Sequence, residues 1–308
     1  MDISVIINQL LILFLMILLG YILHKTNIMT VEFNKQLTRF MLNVTLPALI
    51  LSSVMDDETS LPTKTVFITF FVAIVMYLLL PFVAKLIALI IRAPKEQTGI
   101  YEFAGIYGNV GFMGFPLISS ILGADAMLLT AIFNIIFNLS AYTIGVITIT
   151  KESGHKEEIS LKKLLTPGIL LSVAAVFIYL LHIPFPQTIV SVTTSIGSLT
   201  SPLAMMMIGA TLATMPVKEM INETRTYLFL VLRQILFPLI CWPVLKFFIH
   251  DTLLLTVTFI MLIVPVANTS VLFATAYDLD TKLAAKCVFI TTLFCVVTIP
   301  MMLIICHL

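Results

Sequence analysis

The chain has 308 residues, 60% of them hydrophobic and only 11% charged, with a formal net charge of +1. Soluble domains carry roughly 25% charged residues, so this composition excludes a water-soluble globular protein, and near-neutral charge gives no footing for a nucleic acid partner. A mean hydropathy of +1.11 instead points to an all-α, polytopic membrane protein with lipid as its solvent.

The first apolar run starts beside Asp2 and continues to Leu23 without a cationic leading segment or a small-residue cleavage site, which reads as a retained span and not a removable signal peptide. A hydrocarbon layer about 30 Å thick needs roughly 20 helical residues. That ruler predicts ten transmembrane helices, near residues 4–23, 38–55, 66–91, 102–122, 126–149, 166–182, 191–214, 227–249, 253–276 and 283–306. The longest strongly charged connection, KESGHKEEISLKK at 151–163, lies close to the middle. It divides the chain into a first five-helix repeat at 1–150, a charged cytoplasmic linker at 151–163 and a second five-helix repeat at 164–308.

Orientation follows from basic residues, which accumulate in cytoplasmic loops. Fourteen of the seventeen Lys and Arg residues flank alternate connections, among them Lys25, Lys85, Lys95, Lys151, Lys218 and Lys282. Lys64 and Lys246 lie on the opposite side and Arg233 lies within a span. Both termini are therefore expected outside, and the acidic run Asp56, Asp57 and Glu58 falls on that outer face.

Residues 101–126 are of membrane length but are interrupted by Gly108, Gly111, Gly114 and Pro116. Such breaks are tolerated at membrane depth only where they are buried in protein or line a polar cavity, and in transporters they face the cargo. An offset of 155 matches Thr45 to Thr200, Pro47 to Pro202 and Asp125 to Asp280. The same offset brings Met113 to Pro116 onto Asn268 to Val271, close to Pro265 in span nine. With five spans per half, the second copy must be inverted, and helices four and nine become two broken helices at equivalent places.

GNVGFMGFPL at 108–117, SPLAMMMIGATLA at 201–213, LRQILFP at 232–238 and the stretch PVANTSVLFATAYDLD resemble the auxin efflux carrier family of bacterial permeases and plant PIN-type transporters, over essentially the whole chain. The long hydrophilic loop of many plant members is absent. The resemblance implies a fold similar to bile acid sodium symporters, in which helices four and nine cross at unwound centres. Helices 1, 2, 6 and 7 would form a scaffold, and helices 3, 4, 5, 8, 9 and 10 a transport domain moving against it like an elevator. Pro47 and Pro202 would then kink paired scaffold helices, and Pro116 and Pro265 would mark the crossover. Asn109 stands seven residues before Pro116, where these carriers place a substrate-contacting asparagine.

The expected substrate site therefore comprises Asn109, Gly111 and Gly114 from span four and Asn268, Thr269 and Ser270 from span nine. Amide and hydroxyl groups there, with the positive ends of half-helices, suit a carboxylate. Satisfying backbone groups freed by the breaks is the competing role for both asparagines. Arg233, inside span eight, is either a structural donor to free carbonyls or a partner for an anionic substrate.

Span nine has no Asp or Glu between Asp251 and Asp278, whereas sodium-coupled bile acid relatives use an acidic residue there. All five histidines, His24, His155, His182, His250 and His307, stand at span ends or in loops. Uniport of a small organic acid, or cotransport with a proton bound to the substrate, is the expected mode. Sodium symport, a channel, or a sensor on a transporter fold are the alternatives. No protease motif such as HExxH is present, so an enzyme is not expected. Cys241, Cys287, Cys295 and Cys306 lack metal-ligand spacing, and neither cofactor nor metal is expected. Met205 to Met207 read as packing. The resemblance implies malate, malonate or indole acetate as cargo classes, a homodimer through the scaffold, and a plasma or inner membrane location.

Overall fold

The computed structural model of the chain describes residues 3–55, 61–151 and 167–307, with the side chains of 3–7, 167, 217 and 218 left aside. The acidic run at 56–58, most of the charged linker with Lys156, Lys162, Lys163 and His155, and the C-terminal Leu308 lie outside the described residues. The described chain is helical, and its one β-type pairing is an isolated antiparallel bridge between Gly108 and Val266.

In chain order the main helices are α1 (Ile3–Lys25), α2 (Val31–Met55), α3 (Thr63–Ile90), α4 (Lys95–Ile106), α5 (Val110–Leu122), α6 (Asp125–Thr150), α7 (Pro167–Leu181) and α8 (Gln187–Thr214). They are followed by α9 (Thr224–Phe248), α10 (Thr252–Ile263), α11 (Thr269–Ala276) and α12 (Thr281–Ile305). Seven of them, α1, α2, α3, α6, α8, α9 and α12, are long and apolar enough to cross a membrane. The expected span four is divided into α4 and α5, and span nine into α10 and α11. Aspartates start the later helices: Asp251 accepts from Leu254 N, and Asp280 from Leu283 N, both at 3.0 Å, as N-caps that satisfy a first-turn donor.

Proline shapes several helices in a recurring way. A π-helical turn occupies Met41–Thr45 before Pro47, Val110–Gly114 before Pro116 and Val231–Leu236 before Pro238. In each case the turn contains the residue four positions before the proline, whose carbonyl would meet the ring and find no N–H. Widening the turn relieves that clash. In α8 the break comes as a turn at Leu199, three residues before Pro202. Pro81 and Pro300 sit in uninterrupted helix, so proline alone does not enforce the wider turn.

Contacts group the chain into two compact units, each drawn from both halves of the sequence. The first comprises Met1–Phe71, Val110–Ile135 and Leu165–Met215; the second comprises Val72–Asn109, Ile136–Leu164 and Pro216–Leu308. In the first unit α1 and the second part of α8 touch backbone to backbone. A Cβ on Gly20 would overlap the Met206 carbonyl oxygen, and one on Gly209 would overlap that of Ile17. Small residues allow this approach, which is how membrane helices gain dispersion energy when lipid removes the hydrophobic drive. Lys25 Nζ donates to Ala213 O at 3.1 Å and Asn34 Nδ2 to Thr211 Oγ1 at 3.0 Å, the former placing a cation at the negative end of α8.

The second unit has an aromatic core. Tyr107 lies within ring contact of Phe103, Tyr77 and Phe137, and Phe103 also meets Phe273. Two ion pairs tie its helices: Lys151 to Glu102 at 2.6 Å and Lys286 to Glu223 at 3.1 Å. Cys287, Cys295 and Cys306 are buried as free thiols and Cys241 is partly buried.

Candidate functional site

The site is built in the second unit, where α4 and α10 both stop. A helix end leaves four carbonyls without partners in its own helix, and at membrane depth water is not there to take them. The two broken segments solve this by pairing with each other. Asn109 N donates to Pro265 O at 2.7 Å and Ala267 N donates to Tyr107 O at 3.0 Å, closing the Gly108–Val266 bridge. Of the two bridged residues, Val266 donates its own N–H to Thr291 Oγ1 on α12 at 3.0 Å.

Arg233, on the π-helical turn of α9, takes two carbonyls. Its Nε donates to Ala104 O at 3.0 Å and its Nη1 to Val264 O at 2.6 Å, while Gln234 Nε2 reaches Ile263 O at 3.4 Å. Arg233 is 3% exposed. The guanidinium thus holds the ends of α4 and α10 together. A side chain at Gly108 would crowd this arrangement, since its Cβ would lie 2.7 Å from Val264 Cγ2 and 3.1 Å from Arg233 Nη2.

After the bridge, the chain restarts as α11. Asn268 occupies the N-cap position but its side chain makes no capping bond. Next come Thr269 and Ser270, whose hydroxyl oxygens are buried and have no hydrogen-bond partner among the described residues. Buried polar groups are normally paired, and here two adjacent hydroxyls at a helix N-terminus are not. Leu272, Phe273 and Ala276 follow Thr269 at three, four and seven positions, which puts them on its helical face. With Tyr142 and Tyr277 they line an apolar cleft of about 210 Å³.

Residues 5–303 match the family model described as membrane transport protein. An uncharacterized transporter of Methanothermobacter thermautotrophicus is 24% identical over 289 residues, 93% of each chain. One of Methanocaldococcus jannaschii is 23% identical over 304 residues, 94% of this chain and 96% of the relative. The chain belongs to the auxin efflux carrier family of membrane transport proteins.

It is accordingly an integral, multi-pass membrane protein with a transport role. Of the residues expected at the site of this transporter, Asn109, Pro265, Asn268, Thr269, Ser270 and Arg233 all lie in the second unit. Asn109 is buried, and its amide N–H is part of the bridge. Gly111, Gly114 and Pro116 fall in the first unit, whose boundary with the second passes between Asn109 and Val110. The helix is broken at Tyr107 to Asn109, around Gly108, and has resumed before Pro116, which is the second residue of the α-helical part of α5. A Cβ on Gly111 would meet nothing within 4 Å. Pro47 and Pro202 lie in the first unit.

Three further residues of this region lie outside the set expected from the sequence. Thr291 and Gln234 are ordinary polar residues on apolar spans, and only the crossing gives them a carbonyl or amide to serve. Glu102 is buried at the first turns of a span. Its signal was available: a carboxylate at one end of a span and Lys151 at the same end of the next, a pairing that a helical hairpin brings together.

Proposed function

We propose that this transporter is a carrier that moves a small organic carboxylate anion across the plasma or inner membrane by elevator-type alternating access. It works as a uniporter or with a proton carried on the substrate. The start of α11 carries this reading: unpaired hydroxyls of Thr269 and Ser270 beside Asn268, on a helix N-terminus whose partial positive charge favours an anion. The apolar cleft on the same helical face offers a surface for the carbon skeleton of the acid. Asn109, one residue past the bridge, is the matching contact from span four.

The ten-helix inverted repeat belongs to the same proposal. Helix α10 begins and ends 157 positions after α4 does, at 252 against 95 and 263 against 106, and α12 ends 155 positions after α6. A scaffold of spans one, two, six and seven, a moving part from the other six, termini outside and a dimer through the scaffold complete the reading.

Counterflow of radiolabelled malate, malonate and indole acetate in proteoliposomes tests it. Saturable exchange of at least one acid is expected, with apparent KM raised about tenfold, equivalent to about 1.4 kcal/mol, by Asn109→Ala and by Ser270→Ala. Unchanged KM in both variants would remove the site, and uptake that requires sodium at fixed pH and potential would remove the coupling mode. A single-channel current in place of exchange would favour a pore.

A further inference from the structure

Arg233 is buried among main-chain carbonyls, and this arrangement has the chemistry of a cation site. Its two acceptors, Ala104 O and Val264 O, come from the last turn of α4 and the residue just past α10. Each helix C-terminus carries roughly half a negative charge. Two of them meeting at one place amount to about one negative charge, which a single monovalent cation neutralises. Converging carbonyl oxygens are also how proteins replace the hydration shell of a bare cation. In the same turn of α9, Gln234 is fully buried, and its Oε1 has no partner among the described residues, so another oxygen acceptor stands beside the carbonyl group it serves. Gly108 completes the cradle, because any side chain there would press on Arg233 Nη2 and Val264.

We propose that the Arg233 guanidinium is a covalently tethered replacement for an exchangeable monovalent cation at the crossing of α4 and α10, so that removing it creates a site that a free small cation fills. The tether keeps the charge in place through every turnover. Stability and transport of the wild-type chain are then indifferent to sodium and potassium, and a variant without the guanidinium acquires a cation requirement. The transport arm of this inference rests on the carrier function proposed above; the stability arm does not.

Purified Arg233→Ala in detergent is melted in guanidinium chloride, sodium chloride and choline chloride at millimolar concentration and matched ionic strength. Its midpoint should rise saturably with guanidinium or sodium over choline, by about 5 °C at saturation, while the wild-type midpoint stays put. A folded Arg233→Ala with no saturable response to either cation overturns the proposal.

A second pair of variants decides the question even where Arg233→Ala does not accumulate. Arg233→Lys keeps the charge, and should retain uptake within about threefold of wild type without added cation. Arg233→Gln keeps hydrogen-bonding capacity without charge, and should lose uptake at least tenfold and regain it with millimolar guanidinium. Wild-type uptake in Arg233→Gln would show that hydrogen bonding suffices, and would overturn the tethered-cation reading. If the wild type exchanges no organic acid, the carrier proposal fails, and the melting experiment still decides this one.

Discussion

Two close backbone approaches, one in each unit, look alike in sequence and differ in kind. Between α1 and the second part of α8, Gly20 and Gly209 let two continuous helical stretches touch, with one side chain, Lys25, on a last-turn carbonyl of α8. Between α4 and α10, Gly108 lets two broken helices meet, and their backbone groups are exchanged across the crossing or handed to Arg233 and Thr291. The first contact is a packing seam. The second has rearranged polar groups, an enclosed charge and unpaired hydroxyls next to it. Glycine therefore reports close approach in both places, and only the redirected hydrogen bonds separate a seam from a site.

That contrast can be broken by experiment. Gly209→Leu would drive a branched side chain into the backbone of α1, and a loss of at least about 3 kcal/mol is expected, read as collapse of the monodisperse fraction and of the melting midpoint. A variant melting within about 2 °C of wild type would mean that the seam is loose. Gly108→Ala is milder in stability, about 1 to 2 kcal/mol, because a side-chain methyl and a guanidinium nitrogen are the nearest obstacles. Its effect on uptake should be larger than its melting shift suggests, about tenfold, since the guanidinium is displaced; parallel losses would make the crossing another seam.

Ser270→Ala should go the other way in the absence of substrate. Removing a buried, unpaired hydroxyl is expected to stabilise the empty protein by about 1 kcal/mol, even as apparent KM rises. Destabilisation would reveal that the hydroxyl already serves the fold. Smallest is Glu102→Gln, in the second half of α4, where losing the partly exposed pair with Lys151 should lower stability by about 0.5 kcal/mol and leave KM alone. A KM shift there would extend the site along α4.

Much of the fold was legible because membrane helices announce themselves by length and hydropathy, and a helix break announces itself by glycine and proline at a depth where they are otherwise unwelcome. Pro265 and the polar run Asn268 to Ser270 marked the second break, and Arg233 stood out as a charge inside a span. The position of the first break within its segment was less legible. Three glycines and a proline are all weak helix formers; the helix stops just before Gly108, where the close approach of Val264 and Arg233 leaves no room for a side chain, while Pro116 is absorbed by a wider turn. Glu102, Thr291 and Gln234 went unread for a related reason: their roles depend on partners far along the chain.

The sequence by itself determined that the chain crosses a membrane many times, that two of its spans are interrupted, and that one cation is carried into the apolar interior. These follow from local composition, since transfer of each residue into lipid is a local quantity. Tertiary structure alone decided that the two broken ends bond to each other through their backbones, at which residues, and that Arg233 closes both. Backbone hydrogen bonds carry no residue code, so the partners of a freed carbonyl are chosen by where the helices lie.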